Sequence, residues 1–503
     1  MNGYPPQGQS TAQSINSVLP ELLVGTILLI FSNGRWSVPL AAWLFPVFFL
    51  RFFRTQQTVA GVIIGGALFT FAYIFVSWQI LSFEALPPAF RIGSGIAAGI
   101  LFLLPFLADR MLSPHWGGYV STLIFPLTWV SVEFLVTPVN GSWFSLAYTQ
   151  YGNLPLMQVA SVTGIWGISF LITWFAPVVN QLWENGFVWV RSKRLICLYA
   201  AVLCLALLYG GARLSFFHPD SSTTKVASIL SNSKSFVDLF FQQGLKDRED
   251  LLKHSVKEQN YFLERSRETA RQGAKIVIWQ EYAVCLQKEQ EEDFVHRGSE
   301  LARQESIYLV MVFATLPKGF PVEPWENKLV WIGPEGNVLR EYNKSKPAPP
   351  LEPILPGTGI VPVVTTSFGK IASVICADQN YPGLVRQGGK AGAGLLLVPS
   401  LDWKAVSPLH THMGIFRAIE NGCAMIKATG EGLSAAVDCQ GRVLSTLDYW
   451  NTDEKVMFSH VPVESSTTVY RFIGDSFAWA CVIGCAGLIG LTFYTRRRVR
   501  QHR

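Results

Sequence analysis

The chain has 503 residues, half of them apolar and only 15% charged, with a mean hydropathy of +0.28, which excludes an ordinary water-soluble domain and a disordered polypeptide. The formal charge of +6 gives no case for nucleic-acid binding, because Arg496, Arg497, Arg498, Arg500 and Arg503 crowd a tail beside an apolar segment, where basic residues anchor to lipid headgroups. Residues 1–213 hold only 14 of the 76 charged side chains, so a membrane part precedes a water-soluble part.

In chain order, residues 1–18 are polar, carry no Lys or Arg, and read as a disordered tail rather than a signal peptide. Apolar runs follow at about 19–31, 37–50, 58–80, 92–107, 117–136, 158–180 and 195–212, and an eighth at 477–494. Most approach the roughly 20 residues a helix needs to cross about 30 Å of hydrocarbon. A single run of this kind is usually a buried helix, but seven in succession are not. Residues 19–213 are therefore expected to form a seven-helix transmembrane domain, 473–495 a last transmembrane helix and 496–503 a basic cytoplasmic tail. Alternating the spans puts Arg51, Arg54, Arg110, Arg191, Lys193 and Arg194 on the side of the tail and leaves only Arg35 and Arg91 opposite. That bias places residues 214–472 outside the plasma membrane, or in the periplasm of a Gram-negative cell.

The segment 214–472 has the composition of a soluble α/β domain. Short β-branched runs at 274–279, 307–313, 329–333, 371–376 and 395–398 alternate with helical patterns such as 247–272. Pro334, Glu335 and Gly336 between apolar runs signal a hairpin. The eight cysteines form no CxxC pair: Cys197, Cys204, Cys481 and Cys485 fall in apolar runs, and Cys285, Cys423 and Cys439 are free or bridged as far as spacing can decide.

Three stretches place one reactive side chain each at the end of an expected strand: Trp279-Gln280-Glu281-Tyr282, Tyr342-Asn343-Lys344 and Ile375-Cys376-Ala377-Asp378. Taken singly, a Glu there is commonly a cap, a Lys a solvated hairpin residue and a Cys a core residue. Their order, with separations of 63 and 32 residues, resembles the nitrilase (carbon-nitrogen hydrolase) superfamily, and Arg417-Ala418-Ile419-Glu420-Asn421 is similar to that family's R-A-x-E-N helix. The resemblance implies an α-β-β-α sandwich in which Glu281 is general base toward the Cys376 thiol. Lys344 and the backbone N–H of Ala377 would hold the oxyanion of the tetrahedral intermediate.

The membrane part narrows the resemblance to the apolipoprotein N-acyltransferase family, which has N-terminal spans, a nitrilase-like domain and one final span. Trp129-Val130-Ser131-Val132-Glu133 is similar to its W-x-x-x-E, Trp143 and Gln150 fall as in its loop, and Glu352 stands eight residues after Lys344 as that family's second acid does. The fold class implied is thus a polytopic α-helical membrane domain of about eight spans plus the α/β sandwich. The implied reaction is a ping-pong transfer of a fatty acyl group from a phospholipid, phosphatidylethanolamine in the family pattern, through a thioester on Cys376 to the amino-terminal lipid-modified cysteine of an apolipoprotein. No cofactor is implied, and His410 and His412 near Asp402 make a weak metal pattern that this chemistry does not use. Glu352, Ala377 and Asp378 are expected to support the triad, and Glu133, Trp143, Phe236, Tyr282 and Tyr381 are candidate lipid or acceptor contacts.

The sequence also departs from the family. Its stretch after Lys344 is Ser345-Lys346-Pro347-Ala348-Pro349-Pro350-Leu351-Glu352 in place of a form close to H-L-V-P-F-G-E, and Ala377-Asp378 stands for Tyr-Glu after the cysteine. Two other readings share the scaffold: a membrane-anchored amidase acting on a small C–N substrate, and a non-catalytic lipid-binding or transport protein.

Overall fold

The computed structural model describes residues 15–83, 86–217, 222–232, 248–317, 324–348 and 352–501. The expected disordered tail, all but Ile15–Val18, and Phe236 lie outside the described residues, as do residues 502 and 503 of the basic tail.

The membrane part is helical throughout: α1 (Ile15–Ile30), α2 (Pro39–Thr55), α3 (Val59–Ile80), α4 (Pro88–Leu112), α5 (Gly118–Asn140), α6 (Ile165–Glu184) and α7 (Trp189–Phe216). A last long helix, Ser476–Gln501, follows the soluble domain. Among the described residues, six helices are long and apolar enough to cross a bilayer: α3 to α7 and the last; α1 and α2 are shorter. The expected run at 158–180 is corrected. Gly164 at φ +67° breaks it, so two short turns, Leu154–Met157 and Ala160–Thr163, precede α6. A Cβ at Gly164 would lie 2.6 Å from the Tyr470 ring, so the break and the contact both require glycine.

Among the described residues, the soluble domain holds thirteen strands in two sheets. The first runs β13 (Val456–Pro462), β1 (Thr223–Ile229), β2 (Ile276–Trp279), β4 (Tyr308–Leu316), β5 (Glu326–Ile332), β6 (Val338–Asn343), with β3 (Val284–Gln287) beside β4. The second runs β12 (Val443–Asp448), β11 (Leu433–Val437), β10 (Ala424–Gly430), β9 (Leu395–Leu401), β8 (Gly369–Ser373), β7 (Val363–Thr366). The β5–β6 hairpin turns at Gly336, φ +83°, where the sequence signals it.

Period-two alternation explains the layering. Ile276 and Ile278 of β2 face the other sheet with Leu395, Leu397 and Ile426, whereas Val277 and Trp279 face helices α8 (Arg248–Arg271) and α9 (Glu291–Glu305) through Phe262 and Phe294. On the second sheet, Leu396 and Val398 point away from the first sheet, toward α10 (Pro382–Lys390) and α11 (Leu409–Asn421). This makes the α-β-β-α sandwich. Its α10–α11 layer shares one buried core with the membrane part, where Met413 and Phe416 belong with Leu146, Tyr148 and Ile165.

Polar ties fix that junction. Ser142 donates to the Asn380 carbonyl from both its backbone N and its Oγ at 2.8 Å, Trp403 Nε1 donates to the Ile80 carbonyl at 2.7 Å, and Gln440 Nε2 donates to the Arg213 carbonyl at 2.8 Å. Arg417 and Glu420 pair with each other at 3.0 Å, and each also reaches the membrane part, through Tyr148 Oη and the Ile165 N–H. They orient a helix rather than carry chemistry.

Candidate active site

The reactive residues stand just beyond the C-terminal ends of β2, β6 and β8, where the strand ladder stops and the chain turns. Tyr282 and Cys376 occupy these turns at φ +54° and +46°. For residues with a Cβ that backbone costs about 1–2 kcal/mol and is concentrated at functional turns. After Cys376 the chain winds into a single 3-10 turn, Cys376–Asn380, whose end is the carbonyl held by Ser142.

Glu281, Lys344 and Glu352 meet in one buried network. Lys344 Nζ lies 2.8 Å from Glu281 Oε1 and 2.6 Å from Glu352 Oε2. Asn327 Nδ2 donates to Glu281 Oε1 at 2.7 Å and the Leu401 N–H to Oε2 at 2.8 Å, so the base is fixed at both oxygens. Glu352 accepts from Tyr282 Oη at 2.9 Å and from the Ala348 N–H at 2.8 Å, which folds the divergent loop after Lys344 back onto the lysine. Close approach enforces this loop: a Cβ on Gly357 would sit 2.0 Å from the Asn343 carbonyl oxygen.

Electrostatics follow from this burial. Desolvation alone would lower the Lys344 ammonium, but Glu281 and Glu352 outweigh it and hold it well above its ordinary value, so it is a permanent cation. Burial, with the Glu281 charge next, pushes the Cys376 thiol well above its ordinary value, so the resting thiol is protonated. Burial likewise raises Glu281, partly offset by Lys344. A proton passed between Cys376 and Glu281 would leave the net charge of the buried group unchanged.

Asp378, expected to support the triad, is held in a cluster of donors. Its carboxylate accepts from Tyr342 Oη at 2.7 Å, the Lys346 N–H at 2.7 Å, the Ile375 N–H at 3.1 Å and the Ser345 N–H at 3.2 Å. It ties the lysine loop to the cysteine turn. Burial raises its pKa to about 6 despite these donors.

The candidate contact residues divide. Tyr282 is in the network; Trp143 stacks on His410 with ring centroids 5.0 Å apart; Tyr381 lies under Lys346 Nζ at 4.7 Å and beside the membrane loop. Glu133 is not at the nucleophile: Oε1 accepts from Trp129 Nε1 at 2.8 Å and the Leu146 N–H at 3.0 Å, pinning the loop after α5. All eight cysteines are free. The sequence reading missed Asn327 and Lys427, which no spacing pattern marks. It gave Asp402 and His410 only as a weak metal pattern. The structure puts them with the thiol: Cys376 Sγ, an Asp402 oxygen and a His410 ring nitrogen lie within 4.8 Å of one another. The ammonium of Lys427 already lies in this cluster, 3.0 Å from Asp402 Oδ2, and His412 is elsewhere, stacked on Tyr151.

The two halves of the chain match two family models. Residues 252–471 match the carbon-nitrogen hydrolase model, and residues 25–178 match the apolipoprotein N-acyltransferase N-terminal domain. The second match covers the membrane part, which a soluble hydrolase does not have. The chain belongs to the apolipoprotein N-acyltransferase family. Proteins named apolipoprotein N-acyltransferase from Geobacter metallireducens and Methylococcus capsulatus are 28% and 24% identical to it, over 96% and 95% of this chain and 96% of each of theirs. Apolipoprotein N-acyltransferase 2 of Treponema pallidum is 23% identical over 81% of this chain and 82% of its own. Among solved structures, an amidase from Nesterenkonia sp. is 19% identical with a TM-score of 0.41, covering 52% of this chain and 98% of that one. As a member of the apolipoprotein N-acyltransferases, the chain is a multi-pass bacterial membrane enzyme of the acyltransferase class with a lipoprotein substrate.

Proposed function

We propose that the chain transfers a fatty acyl group from a membrane phospholipid to the amino terminus of a lipid-modified apolipoprotein, with Cys376 as nucleophile, Glu281 as acid and base, and Lys344 as oxyanion cation. The observation that carries this reading is the Glu281–Lys344–Glu352 network beyond the strand ends, in one chain with a membrane domain that shares its core. Glu281 takes the Cys376 proton, the thiolate attacks the acyl ester carbonyl, the C–O bond breaks, and Glu281 returns the proton to the glycerol oxygen that leaves as a lysophospholipid. Lys344 Nζ and the Ala377 N–H stabilise the tetrahedral oxyanion. The thioester that remains is then attacked by the acceptor amine, giving an amide and the free thiol. Phosphatidylethanolamine is the proposed donor, by family resemblance.

The bias of basic loops supports a catalytic domain on the extracytoplasmic side, with Arg496, Arg497 and Arg498 at the cytoplasmic face. A thiol held there, on a domain that shares a core with the spans, reaches an ester without the lipid leaving the bilayer. The test is transfer of a labelled acyl chain in proteoliposomes to a diacylglyceryl-cysteine peptide. Wild type is expected to form the amide and Cys376→Ala none. Release of free fatty acid without amide would favour the hydrolase alternative.

A further inference from the structure

The mechanism above leaves the cluster beside the thiol without a task. Asp402 follows β9, His410 is in the first turn of α11 and Lys427 is in β10, and all three are buried. His410 Nδ1 lies 2.6 Å from Asp402 Oδ1, while Lys427 Nζ lies 3.0 Å from Asp402 Oδ2. Lys427, with His410, holds the Asp402 carboxyl well below its ordinary range against burial, so the carboxylate is an acceptor only. Nδ1 lies between this carboxylate at 2.6 Å and the Lys427 ammonium at 2.9 Å, and the shorter contact is to a group that can only accept, which assigns the hydrogen to Nδ1 and the lone pair to Nε2.

Nε2 is buried and has no hydrogen-bond partner among the described residues. Burial, then Lys427, lowers His410 to about 4, so the lone pair is free at neutral pH. Trp143 from the membrane part stacks on the ring at an interplanar angle of 20° and fixes its plane. A buried acceptor left bare is costly unless a partner arrives. One ring nitrogen of His410 lies within 4.8 Å of Cys376 Sγ, so a donor that arrives at the thiol with substrate is in reach of this ring. The Glu281 carboxylate is already engaged: Oε1 takes Lys344 and Asn327, and Oε2 takes the Leu401 N–H.

Resting on the thioester mechanism, we propose that His410 is a further catalytic residue, acting in the second half-reaction: Nε2 accepts a hydrogen bond from the acceptor's amino group and takes its proton. The neutral amine nitrogen attacks the thioester carbonyl, the C–N bond forms and the C–S bond breaks. The proton shed by nitrogen goes to His410 Nε2, the imidazolium is stabilised by Asp402, and the proton passes to the departing Cys376 thiolate. The products are the amide and the thiol.

The experiment separates the half-reactions in full-length protein in detergent. Wild type, His410→Gln and His410→Asn are incubated with phosphatidylethanolamine, the thioester is followed by intact mass, and a diacylglyceryl-cysteine peptide is then added. The variants are expected to form thioester within about threefold of wild type and to lose transfer to the peptide by about 100-fold, the usual scale of a general base. Hydroxylamine, which needs no protein base, should still cleave their thioester at the wild-type rate, a readout that a merely structural role would not preserve. Transfer within fivefold of wild type, or parallel loss of both half-reactions in both variants, overturns the assignment of His410 alone. Absence of thioester in wild type overturns this and the acyl-transfer mechanism together.

Discussion

Asp378→Asn probes the feature in which this chain departs most from its family. The carboxylate holds four donors, three of them backbone N–H groups on the turn before Cys376 and the loop after Lys344. Asparagine keeps one oxygen and turns an NH₂ group toward the donors that met the other, so about two buried donors lose their acceptor. Each costs about 1–3 kcal/mol, or about 2–6 kcal/mol together. If 2 kcal/mol of this appears in the barrier, thioester formation slows about 30-fold, since 1.36 kcal/mol is tenfold. The assay is the rate of acyl mass gain on the variant, with Tyr342→Phe, which removes one donor, expected to slow it about fivefold. The same carboxylate gives a pH signature. Its pKa is raised from 3.8 to about 6 by burial, so the folded protein takes up this proton as pH falls through about 6 and the unfolded chain only near 3.8. On this group's account acidification from 6 toward 4 stabilises the fold, while it removes an acceptor from the clamp. Activity should fall below about pH 6 without unfolding, and this acid limb should be missing from Asp378→Asn. Wild-type rates in the variant, or an unchanged acid limb, would refute the clamp.

Two further substitutions test the network and the junction. Glu352→Gln keeps the shape beside Lys344 but removes a negative charge that raises Glu281, so the Glu281 pKa should drop. Thioester formation should slow by about tenfold or more through the weaker base, and the titration of Glu281, followed as a limb separate from that of Asp378, should move to lower pH in a pH–rate profile. An unshifted limb would remove Glu352 from the electrostatics of the base. Ser142→Ala deletes one of the two donors that hold the Asn380 carbonyl at the end of the cysteine turn. A net loss of about 0.5–1.5 kcal/mol predicts a rate two- to tenfold lower, read by the same mass gain. A rate equal to wild type would show that the membrane loop does not position the nucleophile.

How far the sequence carried this account depended on the kind of information each feature needs. Glu281, Lys344 and Cys376 were legible because each ends a strand at a recognisable spacing, and Glu352 because its offset from Lys344 is fixed at eight residues. The long apolar runs marked the spans, since hydrophobic length is a local property. The break at Gly164 was not legible, because apolar composition continues through it and only the approach of Tyr470 demands the turn. Asp378 was visible as a supporting acid, but three of its four donors come from positions 342–346, more than thirty residues away, and only the folded loop shows the clamp they make. Asn327 is farther still, 46 residues from the glutamate it holds. His410 was seen with Asp402 as a poor metal pattern. Its place beside Cys376 and beneath Trp143 depends on α11 docking against the membrane loop, which no local period encodes.

The most direct test of the central claim is the intact mass of the purified membrane protein, wild type beside Cys376→Ala, after incubation with phospholipid and no acceptor. The account predicts a hydroxylamine-labile gain of one fatty acyl group on wild type alone, lost again with amide formation when an acceptor peptide is added. A folded wild-type protein that gains no acyl mass in the presence of phospholipid, or one that gains it equally without Cys376, would contradict it.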